Sequence, residues 1–229
     1  EMKNFVKYTS IALFLSIPFF TIAQTNQVPQ ITKQTTTKQP TSGLEIGLGA
    51  ENTSLYLPQL KGKKVGVVTN QTGILRINPS NFNYDKTIHL VDFLLKNEIN
   101  VIKIYSPEHG FRGDADAGAK IKSGKDEQTG LPIVSLYGNN KKPKAEQIAD
   151  VDVLVFDMQD VGVRFYTYIS TLHYVLEAAA ENGKKVIVLD RPNPNAHYVD
   201  GPVMKNEFKS FVGMHNVPIV YGMTIGEYA

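Results

Sequence analysis

Short apolar, β-branched runs recur through the middle of the chain, and each gives way to a cluster of polar residues. Five runs read as strands: Lys64–Thr69 (KVGVVT), Val101–Tyr105 (VIKIY), Ile133–Leu136 (IVSL), Val151–Asp157 (VDVLVFD) and Lys185–Asp190 (KVIVLD). They are mostly apolar rather than alternating, the pattern of strands covered on both faces. Between them the hydrophobic period lengthens to that of a helix over Ile88–Asn97, Lys144–Ala149 and Ser170–Asn182. The last of these carries Leu172, Val175, Leu176 and Ala179 on one face and meets Gly183 as a stop. Strands alternating with helices across short connections predict an α/β fold, a doubly wound and mostly parallel sheet with helices on both faces. Right-handed crossovers then bring every strand's C-terminus to one edge.

The residues at that edge are chemically unusual. The first strand is followed by Asn70-Gln71-Thr72-Gly73, and the second by the run from Ser106 to Gly113 (SPEHGFRG). The fourth leads into Asp157-Met158-Gln159-Asp160 and on to Tyr166, and the fifth into Asp190-Arg191-Pro192-Asn193-Pro194. Open α/β sheets bind ligands in the crevice beyond the carboxyl ends of their strands. Four carboxylates (Glu108, Asp157, Asp160, Asp190) and three arginines (Arg112, Arg164, Arg191) therefore converge there with Asn70, Gln71, Asn193 and Tyr166. A sheet needs none of these groups in order to fold.

Each group admits two readings. Glu108, held in a sharp turn between Pro107 and Gly110, is either a general acid whose pKa burial would raise or a cap for the turn, and His109 is placed to orient it. Asp157 ends a buried strand, where a carboxylate must be paired or set against a ligand. Asp160 is a ligand contact or a helix N-cap. Asp190 and Arg191 are a substrate edge stiffened by two prolines or a local ion pair. The arginines fit a carboxylate or phosphate bidentately, or they pair with the neighbouring aspartates.

Composition narrows the chemistry. The 229 residues are 42% hydrophobic and 20% charged with a net charge of +2, too balanced for a nucleic-acid partner held through phosphates. With no cysteine there is no disulfide, thiolate metal site or cysteine nucleophile. VVTNQTG lacks the dinucleotide fingerprint, and no Gly-x-Ser-x-Gly elbow occurs. His89, His173 and His197 are scattered and read as structural or solvated, so neither a metal nor a cofactor is expected.

The two ends carry different signals. Lys3 and Lys7 precede an apolar run from Ile11 to Ile22 and then Thr21-Ile22-Ala23, which predicts a signal peptide over 1–23 and an exported protein, periplasmic or secreted, with no stable membrane span after cleavage. Residues 24–43 are rich in Thr and Gln and read as a linker. Thr224-Ile-Gly-Glu227 has the spacing of a helix capping box, so 44–223 is expected to be the catalytic domain and 224–229 the start of a further C-terminal region.

Taken together in one order, TNQTG, SPEHGFRG, VDVLVFDMQDVGVRFYTY, LDRPNP and GMTIGEYA resemble the exo-β-N-acetylmuramidases (NamZ-type) over residues 44–229. The resemblance implies a Rossmann-like domain followed by a smaller one, and removal of N-acetylmuramic acid from the non-reducing end of peptidoglycan fragments. It implies Glu108 as catalytic acid, with Asp157, Asp160 or Asp190 orienting water or stabilising charge. Arg112, Arg164 or Arg191 would hold the lactyl carboxylate, and Tyr166 and Asn193 the sugar hydroxyls. The competing class is a non-catalytic module that binds peptidoglycan fragments through the same edge. A hydrolase of an ester or amide is disfavoured by the missing serine elbow and metal-ligand histidines. The sequence is silent on oligomeric state.

Overall fold

The computed structural model describes residues 47–77, 86–107, 110–113 and 124–229. The segments read as signal peptide and linker lie outside the described residues, as do Glu108 and His109. Leu44–Ala229 forms one compact unit. Its strands are β1 (Val65–Thr69), β2 (Ile74–Arg76), β3 (Thr87–His89), β4 (Val101–Ser106), β5 (Gly124–Lys125), β6 (Pro132–Ser135), β7 (Val153–Asp157) and β8 (Lys185–Val188). Its α-helices are α1 (Thr53–Leu60), α2 (Leu90–Lys96), α3 (Ala145–Ile148), α4 (Tyr168–Glu181) and α5 (Ile225–Tyr228).

Six strands form one sheet in the order β5-β6-β4-β1-β7-β8, parallel throughout except for the two-residue edge strand β5. The α/β, doubly wound and Rossmann-like architecture expected from the sequence is what the chain adopts. The two faces separate by strand parity. Val65, Val67, Val153 and Val155 join Tyr56 and Leu60 of α1 and Leu90, Val91 and Leu94 of α2. Val68, Leu154 and Phe156 join Ile148 of α3 and Ile169, Leu172, Val175 and Ala178 of α4. Each of these side chains contributes roughly 1.5–3 kcal/mol on burial, so the central strands β1 and β7, covered on both sides, anchor the rest.

The chain runs from β1 outward to β4 and β6, then returns to β7 and β8 on the opposite side of β1. The strand order therefore reverses at β1, and the C-terminal ends of β1 and β7 flank the crevice where such sheets bind ligands. Thr69 and Asp157 face each other across that pair.

Some boundaries differ from the sequence reading for physical reasons. The helix expected from Ile88 starts at Leu90, because Ile88 pairs with Leu75 in an antiparallel β2–β3 hairpin. His89 ends the hairpin and caps α2, its Nδ1 accepting from the Val91 amide at 3.2 Å. The final strand stops at Val188, since the Asp190 carbonyl turns away to accept from the Gly49 amide at 2.7 Å. The capping box at the C-terminal end forms as its spacing implies: the Glu227 amide donates to Thr224 Oγ1, and the Thr224 amide to Glu227 Oε2.

Gly66 is needed where it stands. The Tyr105 ring crosses it so that the hydroxyl can donate to the Gln147 carbonyl at 2.6 Å, and a Cβ at position 66 would sit 2.8 Å from that ring and 3.0 Å from Leu154. Both neighbours are packed and cannot retreat freely. Gly66→Ala should therefore destabilise the fold by about 1–3 kcal/mol, read from the urea midpoint of the circular-dichroism transition. An unchanged midpoint would show that the Tyr105 ring yields without cost.

Candidate active site

The crevice is built from four loops that follow β1, β4, β7 and β8. Its floor is an ion pair. Asp157, closing β7, accepts from Arg191 through Oδ1···Nε at 2.6 Å and Oδ2···Nη2 at 3.1 Å, and the two side chains are 0% and 3% exposed. Arg191 Nη2 also donates to the Ile74 carbonyl at 2.8 Å, which draws the β2 hairpin into the same knot. Burial pushes the Asp157 carboxyl up from its ordinary pKa, and the Arg191 guanidinium pulls it back. A charge in this position is tolerable only because its partner is matched atom for atom.

Asp190 is committed as fully. Its Oδ1 accepts from the Gly226 amide at 2.7 Å and the Arg191 amide at 2.9 Å, and its Oδ2 accepts from the Thr224 hydroxyl at 2.7 Å. That carboxylate fixes the start of α5 against the end of β8.

Asp160 differs. Its Oδ2 accepts from the Gly162 amide at 2.8 Å and from the Tyr221 hydroxyl, whereas Oδ1 is buried and has no hydrogen-bond partner among the described residues. The residue is 2% exposed. Burial raises its pKa, against the Tyr221 hydrogen bond and the Gly162 and Val161 amides, which lower it.

The amides chiefly hold loops together. Asn70 Oδ1 accepts from both the amide and hydroxyl of Thr72, and its Nδ2 donates to the Tyr168 hydroxyl at 2.6 Å. Asn193 accepts from the Asn195 amide and donates to the Met223 carbonyl at 2.8 Å. Its side chain fills the space beside Gly162, whose φ of +75° and blocked Cβ direction admit only glycine. Gln71 is exposed and packs over Gly113, so the loops after β1 and β4 meet. Tyr166 is half-buried, edge-on to Tyr168 at 4.8 Å.

The three arginines have separate fates. Arg112 is bound to Asp126 (Nε at 2.9 Å, Nη2 at 2.9 Å) and to Asp92 at 3.2 Å, and this pairing holds the Asp126 carboxyl down to about 2. Arg191 belongs to Asp157. Arg164 donates through Nη1 to the carbonyls of Pro202 (2.6 Å) and Val217 (2.9 Å), and makes no ion pair with a carboxylate among the described residues.

Several participants carry no sequence signal. Gln159 bridges the loops, its amide donating to Thr72 Oγ1 and its Nε2 to the carbonyls of Asp160 and Pro192. Tyr221 lies 61 positions beyond Asp160. His89, read as structural or solvated, is structural and sits beside the crevice: its Nε2 donates to the Asn70 carbonyl at 2.8 Å, and burial lowers its pKa. With Nδ1 accepting and Nε2 donating, the neutral ring has a single tautomer that fits. Among the described residues no group of three or more His, Asp or Glu is arranged to hold a metal ion, and no helix is long and apolar enough to cross a membrane.

Residues 65–229 match the family described as exo-beta-N-acetylmuramidase NamZ, N-terminal. A curated relative, the peptidoglycan beta-N-acetylmuramidase NamZ of Bacillus subtilis (strain 168), is 48% identical over 176 residues, which cover 76% of this chain and 40% of the relative. Two crystal structures of DUF1343 family proteins from Bacteroides fragilis NCTC 9343 share the fold. One is 44% identical with a TM-score of 0.65, covering 78% of this chain and 44% of the other. The second is 42% identical with a TM-score of 0.68, covering 79% of this chain and 44% of the other. The chain thus spans about two fifths of the curated relative's length. It belongs to the NamZ N-terminal family.

Asp157→Asn would leave the Arg191 guanidinium buried without a counter-charge. The expected cost is about 3–5 kcal/mol in chemical denaturation, the scale for breaking one side of a buried pair. A loss below about 1 kcal/mol would mean that Arg191 finds water or another acceptor.

Proposed function

We propose that this chain carries the catalytic edge of an exo-acting glycoside hydrolase that releases N-acetylmuramic acid from the non-reducing end of peptidoglycan fragments. The 48% identity to a named peptidoglycan beta-N-acetylmuramidase supports the substrate class. The observation that carries the assignment of residues is the uneven use of three aspartates. Asp157 and Asp190 have both oxygens occupied by protein donors, whereas Asp160 keeps one buried oxygen unmatched among the described residues.

In the reaction the bond between the sugar's anomeric carbon and the leaving oxygen breaks, water adds its oxygen to that carbon, and a proton passes to the leaving oxygen. Glycoside hydrolysis usually divides this work between two carboxyl groups. Glu108, by its place in PEHG, is the proton donor, and Asp160 is the carboxyl that meets the sugar or the attacking water. Asp157, Asp190, Asn70 and Asn193 frame the loops. Arg164, free of carboxylate partners among the described residues, is the guanidinium for the lactyl group, and Tyr166 lies beside it in the same loop. Export through the 1–23 segment would bring the protein to the wall that holds its substrate.

Release of the aglycone from a chromogenic N-acetylmuramic acid glycoside tests the reading. Glu108→Gln should lower turnover by about two orders of magnitude or more, the scale for loss of a general acid. Near-normal turnover would remove Glu108 from the chemistry, and tight fragment binding without any release by the unaltered chain would favour the binding module. Arg164→Ala should raise KM about tenfold for the muramic substrate and much less for its N-acetylglucosamine counterpart, which lacks the lactyl carboxylate. Equal effects on both sugars would sink the clamp.

A further inference from the structure

Tyr221 is the residue on which Asp160 depends most directly. It arrives from a segment locked to the Asp160 loop by backbone pairing: Val163 and Val220 form a bridge, the Arg164 amide donates to the Ile219 carbonyl, and the Tyr221 amide donates to the Gly162 carbonyl. This framework delivers the phenol hydroxyl to Oδ2 alone. The Gly162 amide donates to the same oxygen at 2.8 Å. Two donors thus converge on one carboxyl oxygen while the other, equally buried, meets none among the described residues.

A carboxyl group in that setting is not symmetric. An ionised carboxyl oxygen that already accepts from an N–H and an O–H has its lone pairs taken and is poorly placed to accept from a third donor. When Asp160 is ionised, Oδ2 is therefore occupied by protein donors and Oδ1 is the oxygen with none among the described residues. We propose that Tyr221 is a positioning residue that holds Oδ2 as the acceptor for protein donors and so leaves Oδ1 of Asp160 as the oxygen that accepts from the attacking water or a sugar hydroxyl. The inference rests on the reading of Asp160 given above and adds how that carboxyl is oriented and tuned. Among the described residues the titratable groups that act on Asp160 are Tyr221, through its hydrogen bond, and Tyr228, whose ring centroid lies 5.0 Å from that of Tyr221. Burial and the neighbouring Asp160 push the Tyr221 hydroxyl far above its ordinary pKa, so it remains a donor throughout the working range.

The test follows the 13Cγ resonance of Asp160 through a pH titration of the full chain labelled at aspartate, with Asp160→Asn identifying the signal, alongside turnover of the chromogenic glycoside. Tyr221→Phe keeps the ring and removes the donor. The Asp160 midpoint should rise by about half a unit or more, because a bond that favoured the charged form is lost. The kcat value should fall about tenfold or more with KM little changed, and Tyr221→Phe should add nothing in an Asp160→Asn background. A ring-fluorinated tyrosine at 221, a stronger donor of nearly the same shape, should move the midpoint down, and it decides the matter if the Phe variant does not fold. An Asp160 midpoint indifferent to both replacements overturns the positioning role. Full turnover by Asp160→Asn instead overturns the assignment of Asp160 itself, whatever the Tyr221 variants do.

Discussion

The crevice is organised around a charge that water cannot reach. Asp157 sits at the end of a strand covered on both faces, and the Arg191 guanidinium is what chiefly makes its ionised form tolerable there. Moving a carboxylate from water into an interior costs several kcal/mol even after relaxation, so the pair must be geometrically matched or the strand cannot end where it does. That requirement propagates. Arg191 has to turn inward, which directs Pro192 and Asn193 over the Asp160 loop, and its second donor holds the carbonyl of Ile74 and with it the hairpin beside β1. Three loops distant in sequence acquire their relative positions from one side chain.

Within that frame, residues of the same type take different duties. Asp157 balances a buried cation, Asp190 closes the first turn of a helix, and Asp160 retains an oxygen with no partner among the described residues. The arginines divide similarly, with Arg112 bound by two carboxylates, Arg191 by one, and Arg164, among the described residues, by backbone carbonyls. A buried polar atom without a partner is uncommon and costs free energy.

Much of the fold was legible because the signals were local. The burial of β1 and β7 on both faces follows from their unbroken apolar runs, the amphipathic face of α4 from Leu172, Val175 and Leu176, and the Thr224–Glu227 box from its three-residue spacing. The β2–β3 hairpin and β5 escaped notice, since strands of two or three residues carry too few positions to show a period. α1 was missed too, and Pro58 within it works against a helical reading. For the crevice, topology alone was enough to say that the residues after each strand would gather. It was not enough to say which were already occupied. Asp190 meets Thr224 and Gly226 across 34 and 36 positions, and Asp160 meets Tyr221 across 61, distances over which no pattern in the chain announces a hydrogen bond.

Those long spans bear on how the molecule comes together. The partners of Asp160, Asp190, Asn193 and Arg164 all include residues between Val217 and Gly226. Without that segment in place, the polar groups of the loops after β7 and β8 that it satisfies would have only water to bond. Tyr221 and Ile225 of that segment also pack into the core on the α4 side, so the docking that satisfies these loops completes that core as well.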